Sequence, residues 1–206
     1  MKKRTKITLT LLPVAAVFLA LVFFLLVWNG VILLNRPSET VYPVRGVDVS
    51  SYQRDIDWEV LSGQGIQFAF IKATEGSGFV DEHFAYNYAG AQKNGLRTGA
   101  YHFFSYDSPG EAQAENFIRT VEKTEGMLPP VIDIEFYGDK EANPPAREAV
   151  QEQLDVMIKK LEEHYAVKPI LYATEKSYQL YIDGAYDEYD IWIRNVITAP
   201  ALSDGR

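Results

Sequence analysis

The chain has no cysteine, which rules out disulfides, thiolate nucleophiles and cysteine-ligated metals. Histidine is scarce too. His83, His102 and His164 are the only three, and no two stand at the close spacing of a metal-ligand pair. Positive charge is in the minority, with 20 basic against 28 acidic residues and a formal net charge of −8 over 206 residues. Lys2, Lys3, Arg4 and Lys6 crowd one end, so the remainder is more acidic still, which argues against binding a phosphate backbone. Nucleic acid is not an expected partner. Internal repeats and low-complexity tracts are also missing. Gly76-Ser77-Gly78 lacks the Lys-Ser/Thr that a phosphate-binding loop requires.

Charge of either sign is absent from Ile7 to Leu34, and a bilayer span needs only about 20 apolar residues. A cleavable signal peptide has a shorter apolar core and a small-residue cleavage site, whereas here Val22 to Trp28 carries the apolar run well past Ala20. The stretch 7–34 therefore reads as an uncleaved transmembrane signal anchor. The basic flank at 1–6 is expected to stay in the cytoplasm and the rest to face outward, with secretion after cleavage as the alternative. Positions 35–44, around the polar run Arg36–Thr40, read as a linker to one domain at 45–206.

In that domain short runs rich in Val, Ile, Phe and Tyr alternate with helical stretches. Strands are predicted at 45–49, 67–72, 98–104, 130–135, 169–173 and 191–195. Helices are predicted at about 57–61, 81–94, 109–123 and 145–165. In the last, Val150, Leu154, Met157, Ile158, Leu161 and Tyr165 recur at helical spacing. Repeated strand and helix imply parallel strands with right-handed crossovers, in an open doubly wound sheet or a closed barrel. No glycine-rich dinucleotide fingerprint follows the first strand, where Asp48 to Gln53 carries a carboxylate and hydroxyls instead. The α/β barrel is the expected fold class.

The fourth strand reads Val131-Ile132-Asp133-Ile134-Glu135. A period of two puts both carboxyls on one face, with Cα atoms about 6.6 Å apart. Asp48 ends the first strand in the same way, and in a barrel the C-terminal strand ends converge. Such a trio serves a divalent cation, with His102 as a further ligand, or glycoside hydrolysis, in which one acid protonates the leaving oxygen and an anion supports the sugar centre. Taken alone, the acidic strand end also fits an ion-pair site or a helix cap. Tyr101, Phe103, Tyr172 and Trp192 lie near strand ends and could present flat faces to pyranose rings or could be core. Lys72 and Glu75 read as an ion pair or as pocket contacts.

The segments Gly46–Gln53, Phe70–Gly76, Gly99–Phe104, Val131–Glu135 and Ile191–Ile193 together resemble glycoside hydrolase family 25, the Chalaropsis-type lysozymes or N-acetylmuramidases, in order and over roughly 45–195. The resemblance implies a modified TIM-like (β/α) barrel that cuts the β-1,4 bond between N-acetylmuramic acid and N-acetylglucosamine in the peptidoglycan glycan strand, with no metal or organic cofactor. It implies Glu135 as general acid and Asp133 and Asp48 as catalytic residues at the sugar centre. Tyr101, Tyr172, Trp192 and Lys72 are the expected substrate contacts. The family pattern continues into two further strands after Ile191–Asn195, the last bearing another Asp, whereas this sequence reaches Arg206 without them. The expectation is a barrel lacking its closing strands, unstable or weakly active in this form. The rival reading is a non-catalytic, membrane-anchored glycan-binding module, and a metal-dependent hydrolase is a third.

Overall fold

The computed structural model describes residues 13–28, 31–32, 34–35, 37–200 and 202, and for 2–12 the backbone course alone. Two compact units are present, Met1–Pro37 with Asn195–Ala199, and Ser38–Arg194 with Pro200–Arg206. In the first, α1 (Lys2–Trp28) is a helix of 27 residues. Val17, Phe18 and Trp28 are exposed on it, and Asn35 Nδ2 donates to the carbonyls of Asn195 and Thr198. The expected span 7–34 falls partly outside the described residues. Among the described residues no helix is long and apolar enough to cross a membrane.

The second unit is a parallel α/β structure, and all six expected strands are present. These are β1 (Gly46–Val49), β2 (Phe68–Glu75), β4 (Arg97–Phe103), β5 (Val131–Ile134), β6 (Ile170–Thr174) and β7 (Ile191–Arg194), running side by side in the order β1-β2-β4-β5-β6-β7. Every pair along that path is parallel. The two-residue β3 (Phe79–Val80), absent from the sequence reading, folds back antiparallel onto the end of β2. Beyond its expected end at Lys72, β2 runs on to Glu75 and pairs with β4 through a bulge between Lys72 and Thr74.

Side-chain alternation splits the sheet into two faces. Ala69, Ile71, Ala73, Ala100, Ile132, Ile134, Leu171 and Ala173 are buried in one apolar cluster with the helices. Those helices are α2 (Trp58–Ser62), α3 (Phe84–Lys93), α4 (Gly110–Thr120) and α5 (Arg147–Tyr165). On α5 the six residues predicted to face the core are the ones that do. The segment after β6, to which the sequence pattern assigns no element, makes the short α6 (Glu175–Ser177) and a π-helical turn over Tyr178–Ile182 that buries Tyr178, Tyr181 and Ile182.

Phe70, Val131, Tyr172 and Trp192 lie on the opposite face. Phe70 on β2 and Trp192 on β7 are four strand spacings apart, about 19 Å in a flat sheet. Their ring centroids are 5.4 Å apart, so the sheet curls inward like part of a barrel wall. β1 and β7 are its outer strands.

Candidate active site

Curling brings the C-terminal strand ends together. A cleft of about 230 Å³ is lined by Asp48 of β1, Lys72 of β2, Tyr101 and Phe103 of β4, Asp133 of β5 with Glu135 just past it, Tyr172 of β6 and Arg194 of β7. Strand register explains the meeting, since Phe103 stands beside Asp133, Asp133 beside Tyr172, and Thr174 beside Arg194. Beneath the cleft a small cavity of about 10 Å³ is walled by Asp48, Tyr101, Val131, Asp133, Tyr172 and Trp192. The structure thus groups Asp48, Asp133, Glu135, Tyr101, Tyr172 and Lys72 in the cleft. It sets Trp192 one layer deeper, edge-on to Tyr172 at 5.1 Å.

The three carboxyls differ in surroundings. Asp133 is 8% exposed, and its Oδ1 is buried without a hydrogen-bond partner. Burial raises its pKa well above the usual value, with Glu135 and Asp48 adding to the shift against the opposing Lys72 and Arg194. Glu135 is half-buried; burial raises its pKa also, with Arg194 pulling it down and Asp48 pushing it up. Arg194 Nε lies 3.6 Å from Glu135 Oε1. Asp48 is open to solvent along one side. Crowding by protein atoms still raises its pKa, against its own backbone hydrogen bond and Arg194. Burial, then Asp133 and Asp48, push the Tyr101 phenol upward as well. Burial and the approach of like charges thus raise the proton affinity of all the cleft's acids, the direction that acid catalysis requires.

Lys72 is buried, pairs with Glu75 at 2.7 Å, and sits over the Phe103 ring at 4.9 Å. Loops after the strands are fixed by hydrogen bonds. Asp81 accepts from the backbone N–H of Ser51 and of His83, while Ser50 and Gln53 close a reciprocal cap beside Asp48. His102 is on the far face of β4 from Tyr101 and Phe103. Gln113 Nε2 donates to the Ser105 and Ser108 carbonyls, so its Oε1 is the acceptor for His102 Nε2–H at 3.0 Å. The other ring nitrogen then accepts from Thr74 Oγ1 at 2.7 Å. Burial lowers the His102 pKa to about 4, keeping the ring neutral. Buried on that far face with both ring nitrogens bonded, His102 does not join the cleft carboxyls as the metal ligand its sequence position suggested.

Residues 47–204 match the family described as Glycosyl hydrolases family 25. The chain belongs to that family. A family 25 glycosyl hydrolase structure from Bacillus anthracis is 60% identical, with a TM-score of 0.78 over 79% of this chain and 75% of that one. YegX of Escherichia coli K12 is 34% identical over 169 residues, 80% of this chain and 60% of YegX. Lysozyme M1 of Streptomyces globisporus is 42% identical over 96 residues, 45% of this chain and 33% of its own length. The chain thus spans about 60% of the length of YegX.

Within this family 25 cleft the sequence reading missed Arg194, Asp81 and the Ser50/Gln53 cap. Arg194 had a usable signal, because it follows Trp192 by two positions on one strand and so shares its face. Asp81 had none for its contact with Ser51, which lies 30 positions away and meets it only through the folding of the two loops.

Proposed function

We propose that the cleft is the active site of a muramidase that cuts the β-1,4 bond between N-acetylmuramic acid and N-acetylglucosamine in the glycan strand of peptidoglycan. The supporting observation is that three carboxyls from β1 and the end of β5 line one solvent-reached cleft beside Tyr101, Phe103 and Tyr172. Carboxyls with raised proton affinity beside ring faces suit glycoside hydrolysis. The names of relatives, a lysozyme and an N,O-diacetylmuramidase among them, point the same way.

Glu135 is the general acid in this reading. It is partly exposed, with a proton affinity raised by burial, so it can reach a glycosidic oxygen, donate its proton there and leave a hydroxyl on the departing sugar. Asp133 lies deeper. Its unpartnered Oδ1 is placed to exchange a hydrogen bond with a polar substituent of the bound sugar, and Asp48, nearer solvent, supplies negative charge as the anomeric carbon becomes cationic. Lys72, Tyr101 and Tyr172 shape the floor against which the ring lies, with Trp192 backing Tyr172.

The proposal includes anchoring of this domain at the outer face of a cell membrane by the N-terminal segment. Its support is the uncharged run Ile7–Leu34 behind a basic flank.

Glu135→Gln removes the transferable proton and is expected to lower turnover of purified peptidoglycan by about 10²–10⁴-fold with binding retained. Mass analysis of the wild-type products should find N-acetylmuramic acid at the new reducing ends. N-acetylglucosamine there, or an undiminished rate in the variant, sinks the assignment.

A further inference from the structure

Outside the trio of acids, the cleft has one charged group whose role is unassigned. Arg194 is the last residue of β7, an outer strand of the sheet. Its side chain is half-exposed, and its Nε lies 3.6 Å from Glu135 Oε1. That spacing is an ion pair at its loose end, longer than a good hydrogen bond. The cleft's other cation, Lys72, is committed elsewhere, being buried, bonded to Glu75 at 2.7 Å and set over the rings of Phe103 and Phe79.

We propose that Arg194 is the positioning residue for Glu135: its guanidinium holds that carboxyl toward the β7 side of the cleft and fixes the pH range over which the site works. The inference rests on the muramidase reading for its catalytic consequence, but the pairing itself can be tested without it.

Glu135 answers to charges from every side of the cleft. Asp48 on β1 raises its proton affinity, Asp133 on β5 has its own raised by Glu135, and the Tyr101 and Tyr172 hydroxyls stay neutral. Lys72 with Glu75 forms a nearly neutral pair on β2. Arg194 is the cation that opposes the rise at Glu135. Its removal leaves burial and Asp48 to act alone, so the carboxyl holds its proton to higher pH. A general acid works only while protonated, so the alkaline limb of the activity profile must move upward with it. A pair at this distance in a solvent-reached cleft corresponds to roughly 0.5–1 pH unit.

The test uses the full chain as wild type, Arg194→Gln and Arg194→Lys, with the thermal midpoint checking that each variant folds. Side-chain ¹³C-carboxyl NMR follows the Glu135 titration, and turnover of purified peptidoglycan is measured across pH. The expected result is a Glu135 midpoint about 0.5–1 pH unit higher in Arg194→Gln, restored toward wild type in Arg194→Lys, with the alkaline limb moving in step. A Glu135 midpoint that does not move in Arg194→Gln overturns the proposal whatever the rates do. A midpoint that moves while the activity profile stays fixed overturns the claim that the pair sets the working range. Absence of turnover in the wild type defeats the muramidase reading instead, with the NMR titration still deciding on Arg194.

Discussion

Asp133 is held in its buried place by the fold around it rather than by partners of its own, and the energetic cost of that has a definite sign. Its folded-state pKa is raised by burial and by Glu135 and Asp48, so between the unfolded value of 3.8 and the folded one the native state binds more protons than the unfolded chain. Stability therefore falls as pH rises through that window and stays lower above it. Asp133→Asn removes the titration while keeping the side chain's shape. The variant is expected to melt above wild type at pH 7, by about 2–4 °C for each kcal/mol relieved in a domain of this size, while losing turnover. That gain should shrink toward zero as the pH is lowered to 3.8. Calorimetry at both pH values checks it, and equal midpoints at pH 7 would show that the carboxyl is not under strain. His102 has the opposite sign: its pKa is lowered to about 4, so its contribution is lost as pH falls from 6.5 toward 4.

Among the elements, the contact between α4 and α5 is set by one missing side chain. A Cβ on Gly110 would fall 1.9 Å from the Gln153 carbonyl oxygen and 2.7 Å from its carbonyl carbon. Those atoms belong to the backbone of α5 and cannot swing aside. Gly110 N–H also donates to Gln153 Oε1 at 2.8 Å, so the first turn of α4 is docked directly on α5. Gly110→Ala must separate the helices and is expected to cost about 1–3 kcal/mol, read from the denaturation midpoint in urea; a change under about 0.5 kcal/mol, as at an ordinary surface site, would show that the helices yield. This close approach was not legible in the sequence, where Pro109-Gly110 simply opens the helix expected at 109–123 and nothing shows what that turn meets. The core face of α5 was legible, because its periodicity is independent of what covers it.

At the scale of the whole molecule, the proposed anchor makes a separate prediction. After expression in bacteria the full chain should stay in the membrane fraction through an alkaline carbonate wash, and a protein lacking residues 1–34 should not; release of the full chain into the wash would remove the anchor from the proposal. The order of strands and helices, the outward core of the sheet and the same-face pairing of Asp133 with Glu135 were determined by the sequence itself, because side-chain periods of 2 and 3.6 are local properties of the chain. Which residues share the cleft was decided by curvature. Asp48, Arg194 and the Asp133/Glu135 pair are far apart in sequence, and only a sheet curled enough to set Phe70 against Trp192 brings their strand ends together. The proton affinities followed from that same closure. Burial and the approach of like charges depend on neighbours supplied by other strands, and no spacing along one strand encodes them.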